Sequence, residues 1–573
     1  MESGLALADY LIVAGFFVVM LSIGAYYAGR MKSMRDFFGG GSRVPWAVSG
    51  VSLYMSTFSA FTFVAYSAVA YKNGIVAVTI WWLVAVCAVV SAWFFAARWR
   101  RAASTSPLEY IETRYGPVLR QGFAWTGVPL IIIDDALKLF VIGKMVTVSL
   151  GITEPRALPL AIVACGTIML TYTFLGGLWA VLVTDFVQFI VMTTAVIVLA
   201  PLVVGRVGGL GAFFTQMPKE MWAPTSGDYT WAWIIPFFFV MVFSYATRWS
   251  VVQRYYAVGN DRAARRVGYT VAVLTFVISP LIFMPAMAAR IYMPPVADPN
   301  DVYVLVCKDL LPVGMLGMVV AAMFSATMSM LSSDYNAVAS VLTNDVYKRF
   351  FGPKASERTL VLTGRLATLV IGVIALGIAL VITAAAQGQD LVQMMAKLFS
   401  VLLPPMAIPM MFGLLTRRVS NAGGLGAFLT GTACGLAAYA LSYGEGLDYL
   451  RSIPYLPWIT SLPTLGVMGL LSLIAPDSAD KRERIGRFLA GLTGPESRAR
   501  GEAVEPVGKA KAGDAVVAIR VIGLASAAMG LLLVATVLFT ASAREGALSL
   551  VVGLVMIALG ATARAVAAKT MEN

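Results

Sequence analysis

Long apolar segments recur along the whole chain and are separated by short polar loops. Each segment has about the twenty residues that an α-helix needs to cross the hydrocarbon core of a bilayer. Hydropathy therefore predicts an all-α polytopic membrane protein with about fifteen transmembrane helices. The predicted spans are residues 6–29, 46–71, 75–97, 122–150, 157–175, 177–204, 230–251, 267–290, 313–342, 361–385, 389–415, 422–445, 457–475, 516–541 and 546–566.

Composition agrees with this pattern and excludes several classes of protein. Only 13% of residues are charged and the mean hydropathy is +0.81, whereas soluble domains are about 25% charged. The four cysteines stand singly, without a CxxC pair that would indicate a metal or redox site. The chain has no histidine, so it lacks the usual general base and the commonest metal ligand.

Lys and Arg residues collect in alternate loops. Loop 98–120 and the stretch 481–511 are rich in them, while loops 71–74 and 291–312 are poor. The positive-inside rule then predicts an external N-terminus and a cytosolic C-terminus, in the plasma (inner) membrane. This distribution accounts for the net charge of +13, so we expect no nucleic-acid partner. The polar segment 476–515 is interpreted as a flexible cytosolic linker.

A hydroxyl-rich face runs along the ninth predicted span. Ser325, Ser329, Ser332 and Asn336 are spaced so that they share one side of a helix. A hard cation such as sodium prefers oxygen ligands, and a serine face opposite an unwound helix with free carbonyls would bind it. Small hydroxyl residues also let membrane helices pack closely. The residues by themselves leave both interpretations open.

Other polar groups in the predicted spans indicate a binding site. The second span, 46–71, mixes Ser, Thr, Gly and aromatic residues, as interrupted helices do in transporters built from inverted repeats. The fourth span carries Asp134, Asp135 and Lys138. Because Lys138 lies one helical turn from both aspartates, one pair can neutralise itself. The spare carboxylate makes Asp135 and Lys138 candidates for contact with a solute or coupling ion.

Five motifs, in order, resemble the sodium:solute symporters, the family of the bacterial proline, galactose and sialic acid transporters. The resemblance covers roughly residues 20–420, and the third motif is the most specific. The motifs are DFFGGGSRVPWAVSGVSLYMSTFSAFTF at 36–63, STSPLEYIETRYG at 104–116, TFLGGLWAVLVTDFVQ at 173–188, VVQRYYAVGNDRAAR at 251–265 and MSMLSSDYNAVASVLTNDVYKRF at 328–350.

The resemblance implies a leucine-transporter-like (LeuT) fold, in which two inverted five-helix repeats follow a leading helix. The two C-terminal spans of this chain look like an extension of that fold. The implied divisions are a leading transmembrane helix and loop (1–45), the first inverted repeat (46–204), an external loop (205–229), the second inverted repeat (230–415), additional transmembrane helices (416–475), the cytosolic linker (476–515) and two C-terminal transmembrane helices (516–573).

The resemblance also implies where sodium binds. The ligands would be the carbonyls of Met55 and Phe58 in the interrupted helix, with the Ala326 carbonyl and the Ser329 hydroxyl in the ninth span. Met330 stands where relatives usually have Ser or Thr, and a thioether is a poor ligand for sodium. We prefer this register to a shifted one.

The shifted register would use Ser329 with Ser332 and Ser333, and it breaks the spacing to the following motif. Asp185 matches the family aspartate near the inner sodium release route. Because Ala326 and Met330 are not serines, a second sodium of the type that some relatives bind is disfavoured.

The solute positions implied by the resemblance hold Thr62, Trp81 and Met241, and Tyr245 is placed to stack on an apolar ring face. None offers a hexose the charged or amide hydrogen bonds that it needs, so a simple hexose is disfavoured. Lys138 lies near the place where sialic acid transporters hold an arginine for the carboxylate. This favours an anionic solute such as a sugar acid or another carboxylate.

We therefore predict a secondary active transporter that performs sodium-coupled symport of a small organic solute by alternating access. No cofactor is expected; the partners are the solute, Na⁺ as coupling ion and the lipid bilayer, and the oligomeric state is left open. A proton-coupled symporter of the same fold is the alternative, favoured by Met330 and the spare carboxylates. A transporter-like sensor is a remote alternative, because the C-terminal region has no room for a kinase-sized domain.

An enzyme is not expected. Asp134 and Asp135 are adjacent in sequence, and a pair of aspartates could suggest a catalytic aspartyl dyad. Consecutive residues point about 100° apart on a helix, so these two carboxyls cannot share a proton at one site.

Overall fold

The computed structural model describes residues 5–28, 44–102, 106–152, 154, 156–176, 178–385, 390–493, 509–539 and 543–572. The loop after the first predicted span and residues 494–508 of the predicted linker lie outside these ranges, as does the start of the first family-like motif. The described chain is all-helical apart from its loops and two isolated β-bridges.

The helices are numbered in chain order, and short turns are left unnumbered. The N-terminal part holds α1 Leu7–Ala28, α2 Trp46–Met55, α3 Ser67–Asn73, α4 Val76–Ala102, α5 Glu109–Tyr115, α6 Pro117–Leu150, α7 Ala157–Gly176, α8 Leu178–Arg206 and α9 Leu210–Gln216. The remainder holds α10 Trp231–Thr247, α11 Trp249–Tyr256, α12 Asp261–Tyr292, α13 Val302–Leu310, α14 Met315–Phe350, α15 Glu357–Ala385, α16 Leu391–Leu415, α17 Asn421–Leu441, α18 Leu456–Ile474, α19 Ala479–Thr493, α20 Lys509–Thr536 and α21 Ala543–Glu572.

Eleven helices of the described chain are long and apolar enough to cross a membrane, or up to twelve if α10 and α11 form one bent span. The prediction of an all-α polytopic membrane protein is therefore confirmed. Each of the fifteen predicted spans has helix at its position, but the helices that qualify as spans fall short of that count.

Two helices are interrupted in the middle of the fold. After α2 ends, the chain turns at residues 56–57 and is non-helical at residues 58–59. It becomes helical again at residue 60 and continues through a π-helical turn, Thr62–Tyr66, into α3. Helices α10 and α11 meet at Arg248 with a bend of 43°. An interruption frees backbone polar groups, which must find partners inside the protein at membrane depth.

Helix α14 is the centre of the packing. It contacts α1, α6, α8, α11 and α15, and nearly all of its side chains are buried. At its start, the Asp9 carboxylate of α1 accepts hydrogen bonds from the backbone N–H groups of Gly314 (2.8 Å) and Gly317 (2.7 Å). A Cβ at Gly317 would lie 2.5 Å from the Asp9 carbonyl oxygen, so only glycine lets α1 approach this closely.

The C-terminal region corrects one interpretation. Part of the segment predicted as a flexible linker forms α19, whose Ile485 and Leu492 are buried. The Phe488 ring stacks on Tyr110 with centroids 6.2 Å apart, and Arg101 donates to the Gly491 carbonyl at 3.2 Å. The interpretation as a flexible linker is therefore wrong for residues 479–493, because tertiary contacts order this helix.

Helices α20 and α21 form a tight hairpin. A Cβ added at Gly530 would lie 2.5 Å from the Gly553 carbonyl oxygen, so glycines permit the close approach of the two helices. Helix α20 packs on α1 and α8. The extension therefore packs against the central bundle through α20.

Candidate transport site

A cavity with a water-accessible volume of about 80 Å³ lies between the two helix interruptions. Hydroxyl groups come from the first interruption, aromatic and methionine side chains form much of the wall, and the charged groups come from α6 and the α10–α11 bend. The lining residues are Ser56, Thr57, Ser59, Phe61, Thr62, Tyr66, Trp81, Val84, Asp134, Lys138, Met241, Ser244, Tyr245, Arg248, Val251, Met330, Met395 and Phe399.

The structure brings together most of the residues that were predicted to contact the solute. Asp135 is the exception, because its buried carboxylate faces Lys138 and does not line the cavity. The residues that do line it are Thr62, Trp81, Lys138, Met241 and Tyr245.

Aromatic rings build one wall of the cavity. The Trp81 ring lies 4.9 Å from the Phe58 ring and 5.6 Å from the Tyr66 ring, centroid to centroid. The indole N–H of Trp81 is buried and has no hydrogen-bond partner among the described residues. Buried indole N–H groups usually find a partner, so this donor needs a partner that the described residues do not supply.

Lys138 is the centre of a buried charge cluster. Its Nζ lies 2.8 Å from Asp134 Oδ2 and 2.7 Å from Asp135 Oδ1, one helical turn away on α6. It also lies 3.2 Å from Asp334 Oδ2 on α14. Lys138 thus pairs within α6, as expected, and also with a third carboxylate, that of Asp334 on α14.

Arg248 completes the cluster from the α10–α11 bend. Its Nη2 donates to Asp134 Oδ2 at 2.8 Å and also to Asp334 Oδ2, and its Nε lies 3.3 Å from Asp334 Oδ1. The sequence reasoning missed Arg248. The signal was present, because this arginine lies inside the predicted span 230–251, where a charge is a functional candidate by default.

The four residues predicted to hold sodium are all buried on α2 and its break and on α14, which pack together. The Met55 carbonyl accepts one hydrogen bond, from Phe58 N at 3.1 Å, and the chain at Phe58 has left the helix. On α14, Ala326 lies one turn before Ser329, whose hydroxyl has no partner among the described residues. A buried hydroxyl without a partner calls for an explanation, and cation ligation supplies one.

Contacts of the neighbouring serines support the preferred register. Ser332 Oγ donates to the Ser329 carbonyl at 3.1 Å, and Ser333 Oγ lies 2.8 Å from Ser56 Oγ. Both hydroxyls are therefore already engaged, unlike that of Ser329. The side chain of Met330 lines the solute cavity.

Asp185 forms a second buried ionic group. Its Oδ2 accepts from Ser52 Oγ at 2.5 Å and lies 3.4 Å from Arg254 Nη2. Ser329 lies close enough to interact with this carboxylate, although the two groups lack hydrogen-bond geometry. The predicted release-route aspartate thus lies beside the candidate sodium ligand and is neutralised by an arginine that sequence reasoning did not single out.

The chain is similar in sequence to known sodium-coupled symporters. The profile described as the sodium:solute symporter family matches residues 37–431. The sodium/sialic acid symporter SiaT of Proteus mirabilis (strain HI4320) is 24% identical over 468 residues, which cover 77% of this chain and 90% of that relative. A sodium/glucose cotransporter of Vibrio parahaemolyticus is 24% identical over 464 residues, covering 74% of this chain and 83% of the relative.

Solved structures show the same fold. A substrate-bound, outward-open Na⁺-coupled sialic acid symporter matches with a TM-score of 0.71 at 22% identity, over 82% of this chain and 98% of that chain. A transporter of the nucleobase-cation-symport-1 family in a closed conformation matches with a TM-score of 0.50 at 16% identity, over 78% of this chain and 97% of that chain. The family match ends within α17, so α18 to α21 follow it.

Proposed function

Because the chain belongs to the sodium:solute symporter family, it is a sodium-coupled solute symporter, and we propose that its solute is a small organic molecule with a carboxylate group. One observation carries the proposal: the hydrogen bonds of Arg248 use Nε and Nη2. Nη1 therefore has no partner in the described part of the chain, while the residue lines the cavity. A planar guanidinium is the preferred partner of a carboxylate.

The helix interruption supports the same assignment. Arg248 is the N-cap of α11, and the start of a helix favours negative charge. In transporters with interrupted helices, such half-helix ends point at anionic groups of the substrate. Sialic acid, which the Proteus mirabilis relative is named for, is also a carboxylic acid.

Sodium would bind where α2 breaks against α14. The proposed ligands are the carbonyls of Met55, Phe58 and Ala326 and the hydroxyl of Ser329, and Asp185 would lie on the route by which the ion leaves. A cation there joins the broken helix to the central helix. Binding would thus hold the solute cavity in shape before the solute enters, which is how the two binding events would be coupled.

We extend the proposal to the whole fold. The two repeats would be α2 to α8 and α10 to α16, each opening with an interrupted helix, within a total of fifteen spans. The basic loops favour an external N-terminus and a cytosolic C-terminus, in the plasma membrane.

The test compares thermal unfolding of the purified protein in NaCl and in KCl at equal ionic strength. A ligand of the folded state stabilises it by RT ln(1 + [L]/Kd), about 2.7 kcal/mol at a hundred times Kd. We expect a sodium-specific rise in Tm that Ser329→Ala abolishes. Ser325→Ala is the matched control, because the Ser325 hydroxyl bonds to the Ala321 carbonyl of its own helix at 2.8 Å.

Equal Tm values of the wild type in the two salts would refute the sodium site. Proton coupling would then be the better account, and one observation favours it as the second candidate. Asp135 Oδ2 is buried without a hydrogen-bond partner among the described residues, so this carboxyl has a free position for a proton. Uptake into vesicles driven by a pH gradient in the absence of sodium would establish that mechanism.

A further inference from the structure

The charge cluster at the cavity is not balanced. Three carboxylates, those of Asp134, Asp135 and Asp334, meet the two cationic groups of Lys138 and Arg248. With all three carboxyl groups ionised, the cluster carries one negative charge in excess, and all three side chains are buried. An uncompensated charge at membrane depth is costly, so an arriving ligand that compensates it gains affinity.

A solute with only a carboxylate would make this imbalance worse. It would add a second negative charge to a buried site, where charge repulsion is weakly screened. A solute that carries both a carboxylate and a cationic nitrogen adds no net charge. It also places its cation beside the surplus carboxylate.

Free hydrogen-bonding groups of both signs meet at the cavity. The hydrogen bond that Asp134 accepts from Arg248 falls on Oδ2, so Oδ1 accepts no hydrogen bond from the described residues. Arg248, whose Nη1 is free, lies 2.8 Å from the same carboxylate through Nη2. One free acceptor and one free donor are thus held side by side by a single salt bridge, and both residues line the cavity.

The aromatic wall adds a third feature. Tyr66, Trp81 and Tyr245 line the same cavity, and the faces of aromatic rings attract ammonium groups. Walls of this type, together with an excess carboxylate, are suited to a cationic nitrogen. They are less suited to the hydroxyl-rich surface of a sugar, which needs many polar partners.

We propose that the solute is amphoteric, such as an amino acid or a betaine, with its carboxylate at Arg248 and its cationic nitrogen between Asp134 and the aromatic wall. This inference rests on the proposed function and adds the second charged group to it.

The experiment uses matched probes that differ by one group. L-Phenylalanine, 3-phenylpropionate and phenethylamine form one set; L-leucine, 4-methylpentanoate and 3-methylbutylamine form another; glycine betaine is tested beside them. The dissociation constant of each is measured with the full-length protein in NaCl, by the shift of Tm and by calorimetry. We expect the amphoteric member of at least one set to bind at least tenfold more tightly than both of its partners.

The outcomes separate this inference from the function on which it rests. Equal affinity for a carboxylate and its amphoteric partner would overturn the inference and leave the proposed function standing. So would tight binding of a carboxylate accompanied by uptake of one proton, because Asp135 would then supply the missing positive charge. Binding of none of these probes would overturn the inference, while the sodium-specific rise in Tm would still test the proposed function.

Variants locate the effect. Asp134→Asn should lower the amphoteric-to-carboxylate preference at least tenfold while the sodium-specific Tm rise persists. Asp298→Asn, an aspartate outside the cavity that pairs with Lys144, is the control. If Asp134→Asn does not fold, Trp81→Leu tests the aromatic wall and should weaken binding of the amphoteric probe more than binding of its carboxylate partner. An unchanged preference in a folded Asp134→Asn or Trp81→Leu protein would contradict the proposal.

Discussion

Asp185 and Arg254 show what a buried charge in this bundle requires. Both side chains are fully buried, and their salt bridge spans 3.4 Å between α8 and α11. Arg254 Nε also donates to Ser52 Oγ at 3.2 Å, and Nη2 donates to Ser333 Oγ at 2.5 Å. The pair thus holds the first part of the interrupted helix against α14, where sodium is proposed to bind.

Removing one member of this pair should be far worse than removing both. Arg254→Gln leaves Asp185 as an uncompensated buried charge, so we expect the free energy of unfolding to fall by roughly 3–5 kcal/mol. Denaturant unfolding in detergent measures this. The double variant Asp185→Asn with Arg254→Gln should recover much of the loss; a double variant as unstable as the single one would contradict the role of the ion pair.

Single residues of the solute site were in part predicted from the sequence. Trp81, Met241 and Lys138 were placed at the solute site and do line its cavity. Arg248 was missed because its charge stands near the end of an apolar run, where a cation ordinarily reaches the interface. Only the bend between α10 and α11 turns it inward onto Asp334.

At the scale of elements, the interruption after α2 is maintained by its neighbour. Residues 56–60 contain no Pro or Gly, so the local sequence does not force a break. The Ala60 N–H, which has left the helical ladder, donates to Thr327 Oγ1 of α14 at 2.8 Å. Ser56 and Ser333 form a second bridge at 2.8 Å.

Thr327→Val should therefore weaken sodium binding without unfolding the protein. The substitution keeps the shape of the side chain and removes the acceptor, which leaves the buried Ala60 N–H unpaired at a cost of about 1–3 kcal/mol. Thr173→Val is the control, because the Thr173 hydroxyl only bonds to the Met169 carbonyl of its own helix at 2.8 Å. We expect the sodium dissociation constant, from Tm titrations, to rise at least fivefold for Thr327→Val alone; equal constants would refute the bridge.

Helix α19 is the element that sequence reasoning misjudged. Ile485, Phe488, Leu489 and Leu492 follow the spacing of one helix face, but the charged and glycine-rich composition outweighed that pattern. The helix is stabilised by its contacts with Tyr110 and Arg101. These residues are distant in sequence, so the segment alone does not predict the contacts.

At the scale of the whole molecule, ion pairs join α5, α6 and α14 on the side that we propose faces the cytosol. Arg120 of α6 pairs with Asp345 of α14 and with Glu112 of α5, the latter at 2.5 Å. Arg349 also pairs with Glu112, at 2.7 Å. Hydrogen bonds from Arg349 and Arg120 lower the pKa of Glu112. The carboxylate therefore stays ionised at neutral pH, and its ties are lost only as the pH falls through that lowered pKa.

Loss of the central cation should loosen this side of the molecule. Arg120→Gln removes both of its ionic contacts, whereas Arg349→Gln removes only those to Glu112, so we expect faster hydrogen–deuterium exchange across α5 in the order Arg120→Gln, Arg349→Gln, wild type. Alternating access requires such closures to be breakable. Exchange at wild-type rates in Arg120→Gln would show that packing, and not these ion pairs, closes this side.

The sequence by itself determined the class of protein, because apolar runs of span length and family-like motifs require no knowledge of contacts. It also predicted that several polar residues, Lys138 among them, lie inside membrane spans. Only the tertiary structure decided how those residues combine: Asp334 and Arg248 are distant from Lys138 in sequence, yet they share one buried cluster with it. Pairing between helices depends on where the chain bends and on which face each helix turns inward, and long-range packing sets both.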